Sequence, residues 1–208
     1  MLAAMQSLGL SGKSDRSDGR LKSIFWPTVE NAWDVDYLGQ QGFWICLLIA
    51  VFQLVFSLLT GSVLLIVLVS LGALVYFVGG MGVREKNWPA AAVIFACYFV
   101  DTLYALLSGA MLSPAGVLRI LFLGLLLSNV RATFIASEWR PAAEDEDRPQ
   151  RFSETLRDKL VDAWPPVLWP RLQIPFYVLS ALWFLLSLLE LIGVVLIKLG
   201  VLPFRGIH

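Results

Sequence analysis

Histidine is all but missing from this chain: His208 is its single histidine in 208 residues. One histidine at that position excludes a histidine-based catalytic triad, a zinc-protease His-Glu-x-x-His pair and haem held by two histidines within the chain. Cysteine is nearly as scarce. Cys46 and Cys97 are the only two, both fall inside apolar stretches, and they read as small buried hydrophobes rather than a disulfide. Charge is sparse and balanced, with 16 basic and 16 acidic residues making up 15% of the chain, against about 25% in ordinary globular chains. A net charge of zero leaves no electrostatic basis for holding nucleic acid. No phosphate loop is present either: Gly79-Gly80-Met81-Gly82 lacks the Gly-Lys-Ser/Thr that would follow it, and it reads as the frayed end of a helix. The first residues lack a basic stretch before a compact apolar core, so no signal peptide is expected.

What the chain has instead is apolar length. Hydrophobic residues make up 58% of it and mean hydropathy is +0.73. Five runs, Gly42–Thr60, Ser62–Gly80, Pro89–Gly109, Gly116–Ala136 and Ile174–Ile197, each hold about the 20 residues a helix needs to cross a ~30 Å hydrocarbon core. Short flanking loops carry the orientation signal. Lys13, Arg16, Arg20 and Lys22 precede the first run, Arg84 and Lys86 follow the second, and Arg140 to Arg171 follow the fourth. The alternate connections carry almost no basic residue. Five spans with a cytoplasmic N-terminus and an outer C-terminus gather nearly all the positive charge on one side.

Two segments have helical stripes outside the runs. Phe25, Val29, Trp33 and Tyr37 recur every four residues, with Pro27 suited to a first turn. Phe152, Leu156, Leu160 and Trp164 do the same, backed by Val161, and Pro165-Pro166 is expected to end that helix. Both predict short helices lying in the cytoplasmic interface, with Trp164, Trp169 and Tyr177 anchoring the entry to the fifth span. The organisation expected is a cytoplasmic tail over 1–41, disordered over 1–23, then a four-helix core over 42–137, a loop over 138–173 and a fifth helix with a short outer tail over 174–208. The fold class is an all-α polytopic membrane bundle of about five transmembrane helices plus two interfacial amphipathic helices. Small residues every four positions, Gly124, Ser128 and Ala132 on the fourth run and Ala92 and Ala96 on the third, suit close packing between those two helices.

Ionisable residues within spans are the strongest functional signal in such a chain. Asp101 lies mid-span in the third run, about 18 Å in from Pro89. Glu190 lies about 24 Å in from Ile174, and Arg119 about 26 Å in from Ala136, so an arginine bridging Asp101, Glu190 or both is expected. The structural reading is one ion pair fixing helix register; the functional reading is a proton or ion path. Asp34-Val-Asp36 and Glu144-Asp-Glu-Asp147 read as an acidic helix face and a solvated linker rather than metal sites. No catalytic residue, cofactor or metal is expected.

Three stretches carry a family likeness. Tyr37-Leu-Gly-Gln-Gln-Gly-Phe-Trp44, Gly82-Val-Arg-Glu-Lys-Asn-Trp-Pro-Ala90 and Ser128-Asn-Val-Arg-Ala-Thr-Phe134 together resemble motifs of small uncharacterised bacterial membrane proteins with four hydrophobic helices. The resemblance covers roughly Tyr37–Ser137, and this chain departs from it by adding the loop and the fifth span. It implies no activity. It implies that Gln41 and Arg131, with Asn129 beside the latter, are framework positions near the cytoplasmic face. The expected partners are the lipid bilayer and either a membrane protein or a second copy of the chain, with no nucleic acid. The expected role is a non-enzymatic scaffold or accessory subunit of the bacterial inner membrane; the alternative is a small transporter or channel component using Asp101, Arg119 and Glu190. An intramembrane enzyme has least support.

Overall fold

The computed structural model describes residues 26–29, 32–60, 62–112, 114–138 and 154–201. Expectations for the tail over 1–23, the acidic linker within 139–153 and the end of the chain past 201 lie outside the described residues. Five helices carry the fold: α1 Ala32–Thr60, α2 Val63–Arg84, α3 Trp88–Leu107, α4 Pro114–Ser137 and α5 Trp164–Lys198. There is no strand among the described residues. All five helical regions are long and apolar enough to cross a membrane, and the chain is a multi-pass membrane protein. In lipid a helix satisfies its own backbone hydrogen bonds, which is why these runs fold this way. Their hydroxyls obey the same rule: Thr102 donates to the Tyr98 carbonyl at 2.7 Å and Thr133 to the Asn129 carbonyl at 2.9 Å.

The helices alternate in direction. Helices α1 to α4 form a ring in which each touches the next and α4 returns to α1, while α5 lies in the groove between α2 and α3. The core of the five-helix bundle contains Phe43, Cys46, Tyr76, Met81, Ile94, Cys97, Leu126 and Phe176. Both cysteines are free and buried. At the joined ends of α1 and α2, Phe56, Leu58, Leu59, Val63 and Leu64 are largely exposed. In water such a surface would be untenable; against acyl chains it is ordinary.

Helix boundaries differ from those the apolar runs predict. Among the described residues the expected helix ahead of the first span is not separate from it: α1 runs unbroken from Ala32, and Pro27 sits outside it. The early turns of α1 bury Asp34, Val35 and Leu38 against the bundle while Trp33 stays exposed. Packing on neighbouring helices, rather than on the interface, fixes this segment. The Gly79–Gly82 stretch is likewise no frayed end. It is buried inside α2, which continues to Arg84. The expected division points at 41/42 and 173/174 both fall within continuous helices.

The prolines before the fifth span do not end a helix. A turn at Leu156–Asp158, opened by reciprocal hydrogen bonds between Thr155 and Asp158, leads through a π-helical turn, Lys159–Ala163, directly into α5. Pro165 and Pro166 fall in the first turn of α5, where a missing N–H costs least. The wider turn, in which the Trp164 N–H reaches back to the Lys159 carbonyl, shifts the buried register. Val161 is buried, while Leu156 and Trp164 of the expected stripe are exposed. Trp169 is buried rather than interfacial, in edge contact with Phe176 and Tyr177.

The α2–α3 turn carries the one positive-φ residue other than glycine among the described residues, Lys86 at φ 58°. The Lys86 N–H donates to the Val83 carbonyl and the Asn87 N–H to the Gly82 carbonyl, a helix end that favours glycine at the left-handed position. Lys86→Gly is expected to raise stability by about 1 kcal/mol, read as a higher unfolding midpoint in detergent.

Candidate functional site

Two polar clusters lie in the bundle, and the more strongly connected one involves residues whose sequence pattern pointed elsewhere. Arg84 closes α2, and its side chain is 2% exposed. Its Nη1 lies 2.6 Å from Asp36 Oδ1 and its Nη2 lies 3.2 Å from Asp36 Oδ2, a two-pronged contact to α1. Nη2 also lies 2.6 Å from Asp162 Oδ1, and Nε donates to the Val161 carbonyl at 3.2 Å. The acceptor at Val161 follows from the sequence. In a regular helix the residue four positions later, at 165, would bond that carbonyl; Pro165 has no N–H, so the oxygen is left for Arg84. One guanidinium thus joins α1, α2 and the approach to α5, at the end of the bundle where Lys86, Arg131, Arg157 and Lys159 also lie. Planar, five-donor geometry suits arginine to this role where lysine would not serve.

The second cluster contains the residues singled out by depth. Asp101 of α3 accepts a hydrogen bond from the Tyr76 hydroxyl of α2, 3.0 Å from Oδ2. Ser187 and Trp183 of α5 approach the same carboxyl. Glu190 stands one turn beyond Ser187 on the same face of α5. Arg119 of α4 comes to this level too, but its Nη1 reaches the backbone carbonyl of Asp101 at 3.4 Å. The expected bridge is therefore drawn differently: among the described residues no ion pair within 4.0 Å joins Arg119 to Asp101 or Glu190, whereas Arg84 pairs with Asp36 and Asp162. The cluster still links four helices.

The framework residues occupy the end of the bundle that bears Arg84. Arg131 donates to the Pro27 carbonyl at 2.9 Å and stacks over Trp26 at 4.9 Å, holding the chain ahead of α1. Asn129 donates to the Leu125 carbonyl at 2.8 Å. Its Oδ1 and Gln41 Oε1 are buried without a hydrogen-bond partner among the described residues. Asn87 both caps α3, accepting from the Ala90 N–H at 3.0 Å, and accepts from the Tyr177 hydroxyl at 2.9 Å, which ties α5 to the α2–α3 turn. No group of three or more residues suited to hold a metal ion occurs among the described residues.

No family model, curated protein or solved structure matches this chain.

Proposed function

We propose that the chain is a non-enzymatic scaffold or accessory subunit of the bacterial inner membrane, with its N-terminus in the cytoplasm and its C-terminus outside. The observation that carries this reading is the use made of Arg84. A buried cation between Asp36 and Asp162, its side chain 2% exposed, fixes the mutual position of three segments. Clustering of Arg84, Lys86, Arg131, Arg157 and Lys159 at one end supports the orientation through the positive-inside rule. The expected result on purification in mild detergent is a stoichiometric partner, either a second membrane protein or another copy of the chain. Recovery as a lone monomer from native membranes under all such conditions would overturn the reading. Reporter fusions at the two termini are expected to give opposite sidedness; cytoplasmic accessibility at residue 208 would remove the five-span topology.

A second reading is a small transporter or channel component. It is favoured by one observation, an intramembrane carboxyl, Asp101, joined to Tyr76 of a neighbouring helix at 3.0 Å, since such groups mark ion and proton paths. Proton or solute flux into liposomes, lost in Asp101→Asn, would establish it and displace the scaffold reading.

A further inference from the structure

Beside α1, on the end of the bundle that bears Arg84, lies a slot of about 220 Å³ whose lining includes Gln41, Trp44, Ile45, Leu48, Leu125 and Arg157. We propose that this slot holds one phospholipid with a phosphoglycerol headgroup, its phosphate between Arg157 and Trp44 and an acyl chain along Ile45, Leu48 and Leu125. Three observations carry the assignment.

The first is unspent charge. Arg157 stacks over the Trp44 ring, 5.7 Å from its centroid, yet has no ion pair or hydrogen bond among the described residues. No ion pair joins it to the adjacent Asp158, whose Oδ2 instead accepts from both the backbone N–H and the hydroxyl of Thr155, at 3.1 and 2.7 Å. Guanidinium and phosphate match in geometry and charge.

The second is a pair of orphaned polar atoms on two of the residues that line the slot. Trp44 Nε1 and Gln41 Oε1 are both buried without a hydrogen-bond partner among the described residues. Buried polar groups without partners are uncommon, and each calls for a ligand or water. The indole N–H is a donor that suits a phosphate oxygen. The Gln41 oxygen is an acceptor that needs a donor, which a glycerol hydroxyl supplies and a choline headgroup does not.

The third is the polarity gradient. From Gln41 to Leu48 the slot runs about 10 Å along α1, and its lining passes from amide and indole to Ile45, Leu48 and Leu125. That is the order a lipid presents between its headgroup and its chain. A soluble phosphate compound would leave the apolar end unfilled.

The test is native mass spectrometry of the full chain, delipidated in detergent and then titrated with phosphatidylglycerol or phosphatidylcholine. One phosphatidylglycerol is expected to remain bound per chain at collision energies that strip phosphatidylcholine. Arg157→Gln is expected to lower retention about tenfold or more, the loss of one charge-assisted hydrogen bond. Trp44→Phe, which keeps the ring and deletes the donor, is expected to lower it several-fold. Among the described residues Arg157 makes no ion pair or hydrogen bond, and Trp44→Phe keeps the ring that packs against Phe43, so both variants report on the slot. Equal retention of the two lipids, retention unchanged in Arg157→Gln, or displacement of the bound species by inorganic phosphate each overturns the proposal.

Discussion

Replacing Arg84 by glutamine is expected to destabilise the protein by about 3–5 kcal/mol, the cost of leaving a buried charge without its partner. The magnitude comes from what remains rather than from what is removed. Asp36 and Asp162, with side chains 16% and 11% exposed, would face each other across a vacated site, and the Val161 carbonyl freed by Pro165 would lose its donor. Arg84→Lys keeps the charge but cannot span both carboxylates and that carbonyl, so an intermediate loss is expected. The informative variant is the triple replacement Arg84→Met, Asp36→Asn, Asp162→Asn. A buried ion pair is often worth little more than a neutral substitute of similar volume, so the triple variant is expected to recover most of the stability lost in Arg84→Gln. Unfolding midpoints in detergent micelles measure all three. Added salt is expected to change the wild-type midpoint little, because screening acts weakly on buried pairs. A midpoint for Arg84→Gln indistinguishable from wild type would show that the guanidinium does not hold these segments together.

This cluster also marks where sequence reading stops. The five spans were legible because bilayer thickness dictates the length of an apolar run, and that length is a local property of the chain. Arg84 and Asp36 stand 48 positions apart, and Arg84 and Asp162 stand 78 apart. Read locally, Arg84 is a topological charge at the end of a span, Asp36 part of an acidic helix face and Asp162 one more loop acid. Only the ring arrangement of the helices brings them together. One usable signal was present: two prolines in the first turn of α5 leave carbonyls without helical donors one turn back, and an acceptor in need of a donor beside a lone arginine is a pairing that chemistry suggests. Read locally, the prolines look like a stop, because the π turn that accommodates them has no sequence signature of its own. Asp101 was found by depth alone, since an intramembrane carboxylate stands out in any apolar run. Its hydroxyl partner Tyr76 was not, because a tyrosine in a span looks like any other aromatic. The α2 glycines were discounted for a similar reason. Flexible ends and tight contacts both use glycine, and only the facing helices tell them apart.

Those glycines carry the second large effect. Helix association in lipid gains little from hydrophobic transfer, because acyl chains are as apolar as leucine; close packing has to supply the attraction. Gly79 lies where α2 meets both α3 and α5. A Cβ placed there would stand 2.5 Å from Ile94 Cγ1 and 2.8 Å from Phe176 Cε2, and closer still to Ile94 Cδ1. Ile94 and Phe176 are 0% and 1% exposed, so neither has free space to move into. Gly79→Leu is therefore expected to cost about 1–3 kcal/mol or more through overpacking, with α5 the element displaced, since it lies on the ring rather than within it. Gly79→Ala is expected to cost less, and Ile94→Ala alone about 2–5 kcal/mol through the cavity it leaves. In the double variant the new methyl occupies part of that cavity, so its cost is expected to fall short of the sum of the two by about 0.5–3 kcal/mol. The contrasting case lies within the same protein. Gly193 of α5 would meet nothing within 4 Å of an added Cβ, so Gly193→Ala is expected to be neutral or to stabilise by up to about 1 kcal/mol through helix propensity. Additive costs for Gly79→Ala and Ile94→Ala, or equal responses at positions 79 and 193, would mean that contact geometry at the α2 glycines does not set the association of α5.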